Sequence, residues 1–195
     1  NNFSALNIDA LGNGDTLELV SLGTAQTNHP AINLNGGLGN DTLQVHSTSG
    51  NTGPVTLTGN AGNDSFVLQS ATSTIDGIVG PVIVDGTDGN VASNTDTLTI
   101  VDTGDATGDT VLVGAVNAAA SADYRVEGIT ATAGNDVVFR NIDTLTYTGT
   151  QGNDTLDAQF VNTTPGHDLN AATLNGWTGG DQFLLARPMA VEGRL

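Results

Sequence analysis

Gly37-Leu38-Gly39-Asn40-Asp41-Thr42-Leu43 returns with small changes as Asn60-Ala61-Gly62-Asn63-Asp64-Ser65-Phe66, and again as Thr150-Gln151-Gly152-Asn153-Asp154-Thr155-Leu156. Each phrase joins a glycine bend, an Asn-Asp pair and a hydroxyl residue to an apolar position. It therefore reads as a turn that feeds directly into a short strand. Recurrence of such a unit marks an array of stacked elements rather than a single globular core. A carboxylate-bearing turn in a chain with no lysine also points to a cation, with calcium the candidate.

Outward from the phrase, the Asp that follows each bend serves as a marker and gives Asp15, Asp41, Asp64, Asp96, Asp109, Asp143, Asp154 and Asp181. The first intervals, 41 − 15 = 26 and 64 − 41 = 23, suit one turn of a solenoid built from two or three short strands. Apolar residues alternate on both sides of the bend, so Ile32, Leu34, Leu43 and Val45 point inward while Asn33 and Gln44 stay outside. The next copies place Val55, Leu57, Phe66 and Leu68, then Val82, Val84, Leu98 and Ile100, in the same positions. The expected fold is all-β, a parallel β-helix or β-solenoid with Gly-Asn-Asp turns. Eight coils spaced by roughly 4.8 Å would form a rod on the order of 40 Å long.

Composition agrees. Aromatics are 4% of 195 residues, apolar residues are mostly isolated Val, Leu and Ile, and no stretch has a sustained helical period. The alanine-rich run at 116–123 is too short to carry a helical fold. Residues 1–114 read as regular coils, 115–138 as an irregular coil or insertion, 139–185 as further coils, and 186–195 as a cap, linker or attachment segment. The alternative architecture is a set of antiparallel β-sandwich modules joined near 115–123. Stacking discriminates the two, since a solenoid places Leu43 and Phe66 on neighbouring coils.

The net charge is −17, with four arginines and no lysine, which argues against nucleic acid as a partner. Cysteine is absent, so stability must come from packing, backbone ladders or metal. No run of about 18 apolar residues is present, so membrane insertion is not expected. The chain opens on Asn1-Asn2-Phe3 without an initiator Met or signal peptide, and is expected to be a mature or excised segment of something longer.

Gly36-Gly37-Leu38-Gly39-Asn40-Asp41-Thr42-Leu43-Gln44 resembles, at all nine places, the glycine-aspartate nonapeptide of RTX-type calcium-binding proteins. The stretches starting at Gly59 and Gly149 each lack only the second glycine, and 11–19 and 176–184 are looser relatives. The resemblance implies calcium held between adjacent turns by the Asp carboxylate and glycine-turn carbonyls. Carried onto this chain, the metal residues are Gly37, Gly39, Asp41, Gly62, Asp64, Gly152 and Asp154, with Asp15 and Asp181 from the looser copies. RTX nonapeptides run head to tail, whereas here single copies are separated by strand-bearing segments. That spacing is similar to the long repeat regions of large bacterial surface proteins and adhesins, and implies an extracellular or cell-surface location.

Two Asp residues stacked about 5 Å apart repel by on the order of 3 kcal/mol at an effective dielectric of about 20, and a shared cation converts that repulsion into coordination. The competing reading has each Asn-Asp-Thr closing an Asx-type turn without an ion, with Asn40 and Asn63 stacking as a neutral ladder. Two further acidic groups, Asp85, Asp88 and Asn90, and Asp102, Asp105 and Asp109, are equally well explained as solvated turns. No EF-hand loop, His-Glu-x-x-His or Gly-x-Ser-x-Gly motif occurs, and His29, His46 and His167 are scattered.

The expected function is a structural or adhesive segment of an extracellular bacterial surface protein or fibre. Its partners would be like subunits or other surface proteins, assembled end to end, and glycans. Alternatives are a β-sandwich fibre subunit joined by strand donation, or a carbohydrate-active β-helix enzyme using Arg125 or Arg140 beside Asp123, Asp136 or Asp143. Asn2, Asn40, Asn63, Asn153 and Asn162 fit the glycosylation acceptor pattern. Trp177 reads as a cap over an end of the stack or as a platform for a sugar.

Overall fold

Alternating apolar and polar residues over four to eight positions cannot form a one-sided helix but suit a strand with one buried face. The computed structural model describes residues 4–21, 30–49, 53–87, 94–116, 123–129, 137–159 and 169–185, and the pattern folds as expected. The strands in chain order are β1 (Ala5–Asp9), β2 (Thr16–Leu19), β3 (Ala31–Leu38), β4 (Thr42–Val45) and β5 (Val55–Ala61). They continue with β6 (Ser65–Leu68), β7 (Val82–Asp85), β8 (Thr97–Val101), β9 (Thr110–Ala115) and β10 (Tyr124–Glu127). The last five are β11 (Val137–Arg140), β12 (Thr144–Thr148), β13 (Thr155–Gln159), β14 (Ala171–Asn175) and β15 (Gln182–Leu185).

Two sheets result. One has the order β1-β3-β5-β7-β11-β10-β9-β13-β15 and the other β2-β4-β6-β8-β12-β14. From β1 to β8 the chain alternates between the two sheets, so successive coils lie directly over one another. Leu43 pairs with Phe66 in a parallel register, and Phe66 with Leu98. This corrects the antiparallel sandwich alternative, because all pairing is parallel except the two ladders made by β10.

The inward positions are those named from the sequence. Ile32, Leu34, Val55, Leu57, Val82 and Val84 face Leu43, Val45, Phe66, Leu68, Leu98 and Ile100 in one buried cluster. Each coil contributes a small apolar set that is buried only because coils lie above and below it, so stability grows with the stack.

The eight marker aspartates do not count eight successive coils. Chain order and spatial order part company after β8: the chain enters the larger sheet at β9, three places beyond β7, and fills the gap by running back through β10 and β11. β9 to β10 and β10 to β11 are antiparallel, after which β11 lies parallel to β7 and the winding resumes. Tyr124 on β10 stacks on Phe139 of β11 with ring centroids 5.4 Å apart, filling the wider core that the two extra strands create. The larger sheet, with nine strands and therefore eight steps of about 4.8 Å, is roughly 38 Å long.

Phe66 is fully buried, so Phe66→Ala is expected to cost about 3 to 5 kcal/mol. Val67→Ala, on the outward side of the same strand, should cost well under half of that, as read by equilibrium urea denaturation.

Candidate functional site

Every marker aspartate stands one residue before a strand, and each belongs to one of two ladders that run along the stack. At the corner leading into the smaller sheet, the Asp15 N–H donates to Asp41 Oδ1 at 2.7 Å, Asp41 N–H to Asp64 Oδ1 at 2.8 Å, and Asp64 N–H to Asp96 Oδ1 at 2.8 Å. Asp96 N–H then donates to Asp143 Oδ2 at 2.9 Å. At the opposite corner, leading into the larger sheet, Asp109 N–H donates to Asp154 Oδ1 at 2.8 Å and Asp154 N–H to Asp181 Oδ1 at 3.0 Å. The Asp carbonyls accept in turn, as when Asp41 O takes the Ser65 N–H at 2.8 Å.

The neighbouring asparagines form a second, neutral ladder. Asn63 N–H donates to Asn40 Oδ1 at 2.9 Å, Thr95 N–H to Asn63 Oδ1 at 2.7 Å, and Gly180 N–H to Asn153 Oδ1 at 2.7 Å. The stacked carboxylates are thus separated by backbone N–H groups, and a charge-assisted bond of this kind is worth about 1.5 to 3 kcal/mol.

The glycines of the phrase have steric roles of two kinds. The glycine five residues before the marker makes room for the carboxylate of its own turn: a Cβ on Gly36, Gly59, Gly149 or Gly176 would lie within 3.0 Å of Oδ2 of Asp41, Asp64, Asp154 or Asp181. The later glycines let turns of adjacent coils touch. Gly39 (φ 116°) lies against the Asn13 carbonyl, Gly62 (φ 144°) against the Gly39 carbonyl, Gly37 against Leu11 and Gly152 against the backbone of Thr107 and Gly108. Gly36, Gly59, Gly149 and Gly176 were not among the expected site residues, although the nonapeptide pattern begins at each.

The expected metal residues therefore fall into two groups. Gly37, Gly39, Asp15, Asp41, Gly62 and Asp64 meet at the first corner, and Gly152, Asp154 and Asp181 at the second. Oδ2 of Asp15 and of Asp41 is buried without a hydrogen-bond partner among the described residues. Asp154 differs: its Oδ2 accepts the Thr150 N–H at 2.9 Å and its Oδ1 the Thr150 hydroxyl at 2.8 Å.

A tighter acidic group lies in the loop between β8 and β9. One carboxylate oxygen of each of Asp102, Asp105 and Asp109 lies within 4.8 Å of the others, a grouping that can hold a metal ion. This loop is braced on both sides. Asp102 Oδ1 accepts the Ile75 N–H at 3.1 Å from the preceding coil, and Asp105 O accepts the Gln151 N–H at 2.7 Å from the following one. Asp105 also holds its own turn by accepting from the Thr107 N–H at 2.9 Å and hydroxyl at 2.8 Å.

Asp102 is fully buried, and its Oδ2 has no donor among the described residues but faces the Asp109 carboxylate. Burial, reinforced by the charges of Asp109 and Asp76, pushes the Asp102 carboxyl up to about 8 against the lowering effect of the Ile75 N–H. Burial, with Asp105, Asp154 and Asp76 nearby, pushes Asp109 up to about 6 despite its contact with Asp102. From sequence this group is a weaker acidic candidate that solvated turns explain equally well. Sequence reasoning gave no role to Tyr147, whose inward place in Thr144-Leu145-Thr146-Tyr147-Thr148 was the available signal. Its hydroxyl is buried and unpartnered among the described residues, and burial first, then the charges of Asp109, Asp102, Asp154 and Asp105, raises its pKa.

Asp85 is in a different setting. Burial alone would raise its pKa, but bonds from Thr87, Arg140 and Asn141 outweigh that and leave it lowered. Arg140 Nε donates to Asp85 Oδ2 at 2.7 Å, and Arg125 lies 3.4 Å from Glu127. Asp143 is engaged by the Asp96 N–H and, at 2.7 Å, by the Asn170 side chain. Asn2, His29, Asp88, Asn90, Asp136, Asn162, His167 and the 186–195 segment lie outside the described residues. Comparison with protein-family models, with curated proteins and with solved structures finds no match.

Two outcomes follow. Asp64→Ala strips the Asp41 N–H of its acceptor and is expected to cost about 2 to 4 kcal/mol, whereas Asp64→Asn, which keeps an oxygen there, should cost less than half as much in the same denaturation assay. Because Asp102 holds its proton when folded and releases it near pH 4 when unfolded, its contribution is fully present below about pH 4 and is lost as pH rises toward about 8. In chelator, this contribution makes the melting temperature fall across that window, and Asp102→Asn should flatten the fall.

Proposed function

We propose that this chain is a non-enzymatic structural segment of an extracellular bacterial surface protein or fibre, folded as a β-solenoid and stabilised by calcium. The observation that carries this reading is the state of the two end coils. Leu6 and Ile8 on β1 are in register with the buried Ile32 and Leu34, yet are 38% and 40% exposed. Phe183 and Leu185 on β15 are in register with Leu156 and Ala158, yet are 51% and 79% exposed. Core columns that run to both ends of a stack with their apolar residues uncovered suit an element that continues in both directions.

The partner with matching chemistry is another coil of the same pattern, supplied by a like subunit or by flanking repeats. Repeated head-to-tail contact that does not close into a ring gives a filament. Rigidity and spacing are then the function, with adhesion through the outward faces. The arginines support a non-enzymatic role, since Arg140 and Arg125 are matched by Asp85 and Glu127. Calcium is the preferred ion because the carboxylate groups offer hard oxygen ligands, and extracellular modules commonly bind it at about 0.1 to 1 mM.

Light scattering coupled to size-exclusion chromatography tests the end contacts. Mass should rise with protein concentration and more steeply at high salt, which screens the net charge of −17. Phe183→Asp combined with Leu185→Asp should hold the chain monomeric. A chain that stays monomeric at every concentration and salt would remove end-to-end assembly from the reading.

A further inference from the structure

The β8 to β9 loop is the place where the winding changes. On one side of it the chain has built four coils in order; on the other it has jumped three strands along the larger sheet and must later return to fill the gap. The loop also begins the second aspartate ladder, because Asp109 donates to Asp154, which donates to Asp181. Three carboxylates converge here, within 4.8 Å, and the fully buried Asp102 turns an oxygen without a donor toward Asp109.

Independently of the acids, β12 places Tyr147 in register with Ile100, two residues before Asp102. Tyr147 is fully buried, its hydroxyl has no partner among the described residues, and the charges that act on it are those of Asp109, Asp102, Asp154 and Asp105. The Tyr147 hydroxyl and Asp102 Oδ2 are thus two buried oxygens left without a hydrogen bond among the described residues, in a region that also holds the half-buried carboxylates of Asp105 and Asp109. Among the described residues, Arg125 and Arg140 are held at Glu127 and Asp85.

We propose that Asp102, Asp105 and Asp109, with the Tyr147 hydroxyl beside them, form a binding site for one divalent cation of hard, oxygen-preferring character, and that this ion pins the change of winding between β8 and β9. The site deepens the calcium part of the function proposed above and rests on it. It also assigns that dependence to a single loop, where three carboxylates converge, and not to the Gly-Asn-Asp corners, where no such group of three forms among the described residues. All-oxygen ligation selects calcium or a similar ion over zinc or copper, which favour imidazole and thiolate. Filling the site balances the carboxylate charge and ties the loop to the coils that hold Ile75 and Gln151.

Terbium and calcium are the probes. Titration calorimetry with calcium should give one ion per chain, and terbium bound at the site should luminesce when tyrosine is excited, since Tyr147 is an adjacent donor. Asp102→Asn with Asp109→Asn should abolish calorimetric binding and terbium emission, while raising the melting temperature in chelator because the two apposed carboxyls are replaced by neutral amides. That rise shows that the variant folds. Tyr147→Phe should cut the sensitised emission severalfold. Asp41→Asn should leave stoichiometry and emission unchanged.

Several ions per chain, or binding lost in Asp41→Asn and kept in the double variant, would overturn the assignment and move the ion to the corners. Absence of any binding in the unaltered chain would leave Asp102 and Asp109 sharing a proton and would overturn both this site and the calcium reading. End-to-end assembly, measured in chelator, would stand or fall separately.

Discussion

The bond from a marker aspartate's backbone N–H to the carboxylate of the marker on the next coil, made by Asp15, Asp41, Asp64, Asp96, Asp109 and Asp154, is what makes the stack possible. A corner between two sheets leaves backbone N–H groups that neither sheet can satisfy, and burying one without a partner costs about 1 to 3 kcal/mol. Asp41 and Asp64 are almost fully buried at this corner. A carboxylate one residue before the strand reaches the required N–H on the neighbouring coil, and the glycine five residues earlier leaves the space in which it sits. The phrase thus encodes both the turn and its attachment to the next copy of itself. Coil spacing, glycine placement and acidic composition are consequences of one hydrogen bond repeated.

This arrangement also explains how a chain of charge −17 stacks its acids at close range. Each marker carboxylate meets an N–H dipole before it meets the next carboxylate. The acids of the β8 to β9 loop lack that separation: Asp102 and Asp109 face each other, and the Tyr147 hydroxyl beside them finds no acceptor or donor of its own. The same residue type therefore plays opposite parts, as a structural acceptor at the corners and as an unresolved charge in the loop. Counting aspartates cannot separate the two. What separates them is whether three carboxylates converge, as those of Asp102, Asp105 and Asp109 do.

The core was legible in the sequence because the strand period is two and the alternation is clean. Once Leu43 is inward, Phe66, Leu98 and Leu145 follow by position alone, and the structure pairs them in one column. The markers were legible as turn residues for the same reason. Their allocation to two corners was not, because Gly-Asn-Asp-Thr at 39–42 leads into the smaller sheet and Gly-Asn-Asp-Thr at 152–155 into the larger one. The words are identical; the difference lies in which sheet the chain has just left. Nor could local pattern give the antiparallel return of β10, since Tyr-Arg-Val-Glu alternates as well for one strand direction as for the other. The sequence left the Asp102 group open between an ion site and solvated turns because the burial of Asp102 comes from coils distant in sequence, those of Ile75 and Gln151.

The change of winding then becomes intelligible as a consequence of these separate constraints. Two strands run back through the larger sheet and widen it, which the stacked Tyr124 and Phe139 rings fill on the inside. On the outside, the loop that launches β9 must climb past the space those strands will occupy while keeping its place between the coils before and after it. Backbone bonds to Ser73 and Gln151, and the bond from the Ile75 N–H to the Asp102 carboxylate, achieve this. Those bonds fix Asp102 and Asp105 from opposite sides, and the ladder to Asp154 fixes Asp109. The three carboxylates are therefore brought together by bonds that also seat the loop between its neighbouring coils. A neutral residue at Asp102 would relieve the repulsion without disturbing any of those bonds except the one to Ile75, which an asparagine can also accept. An acid at a buried position that has a neutral isosteric solution is the physical ground for assigning that position a ligand.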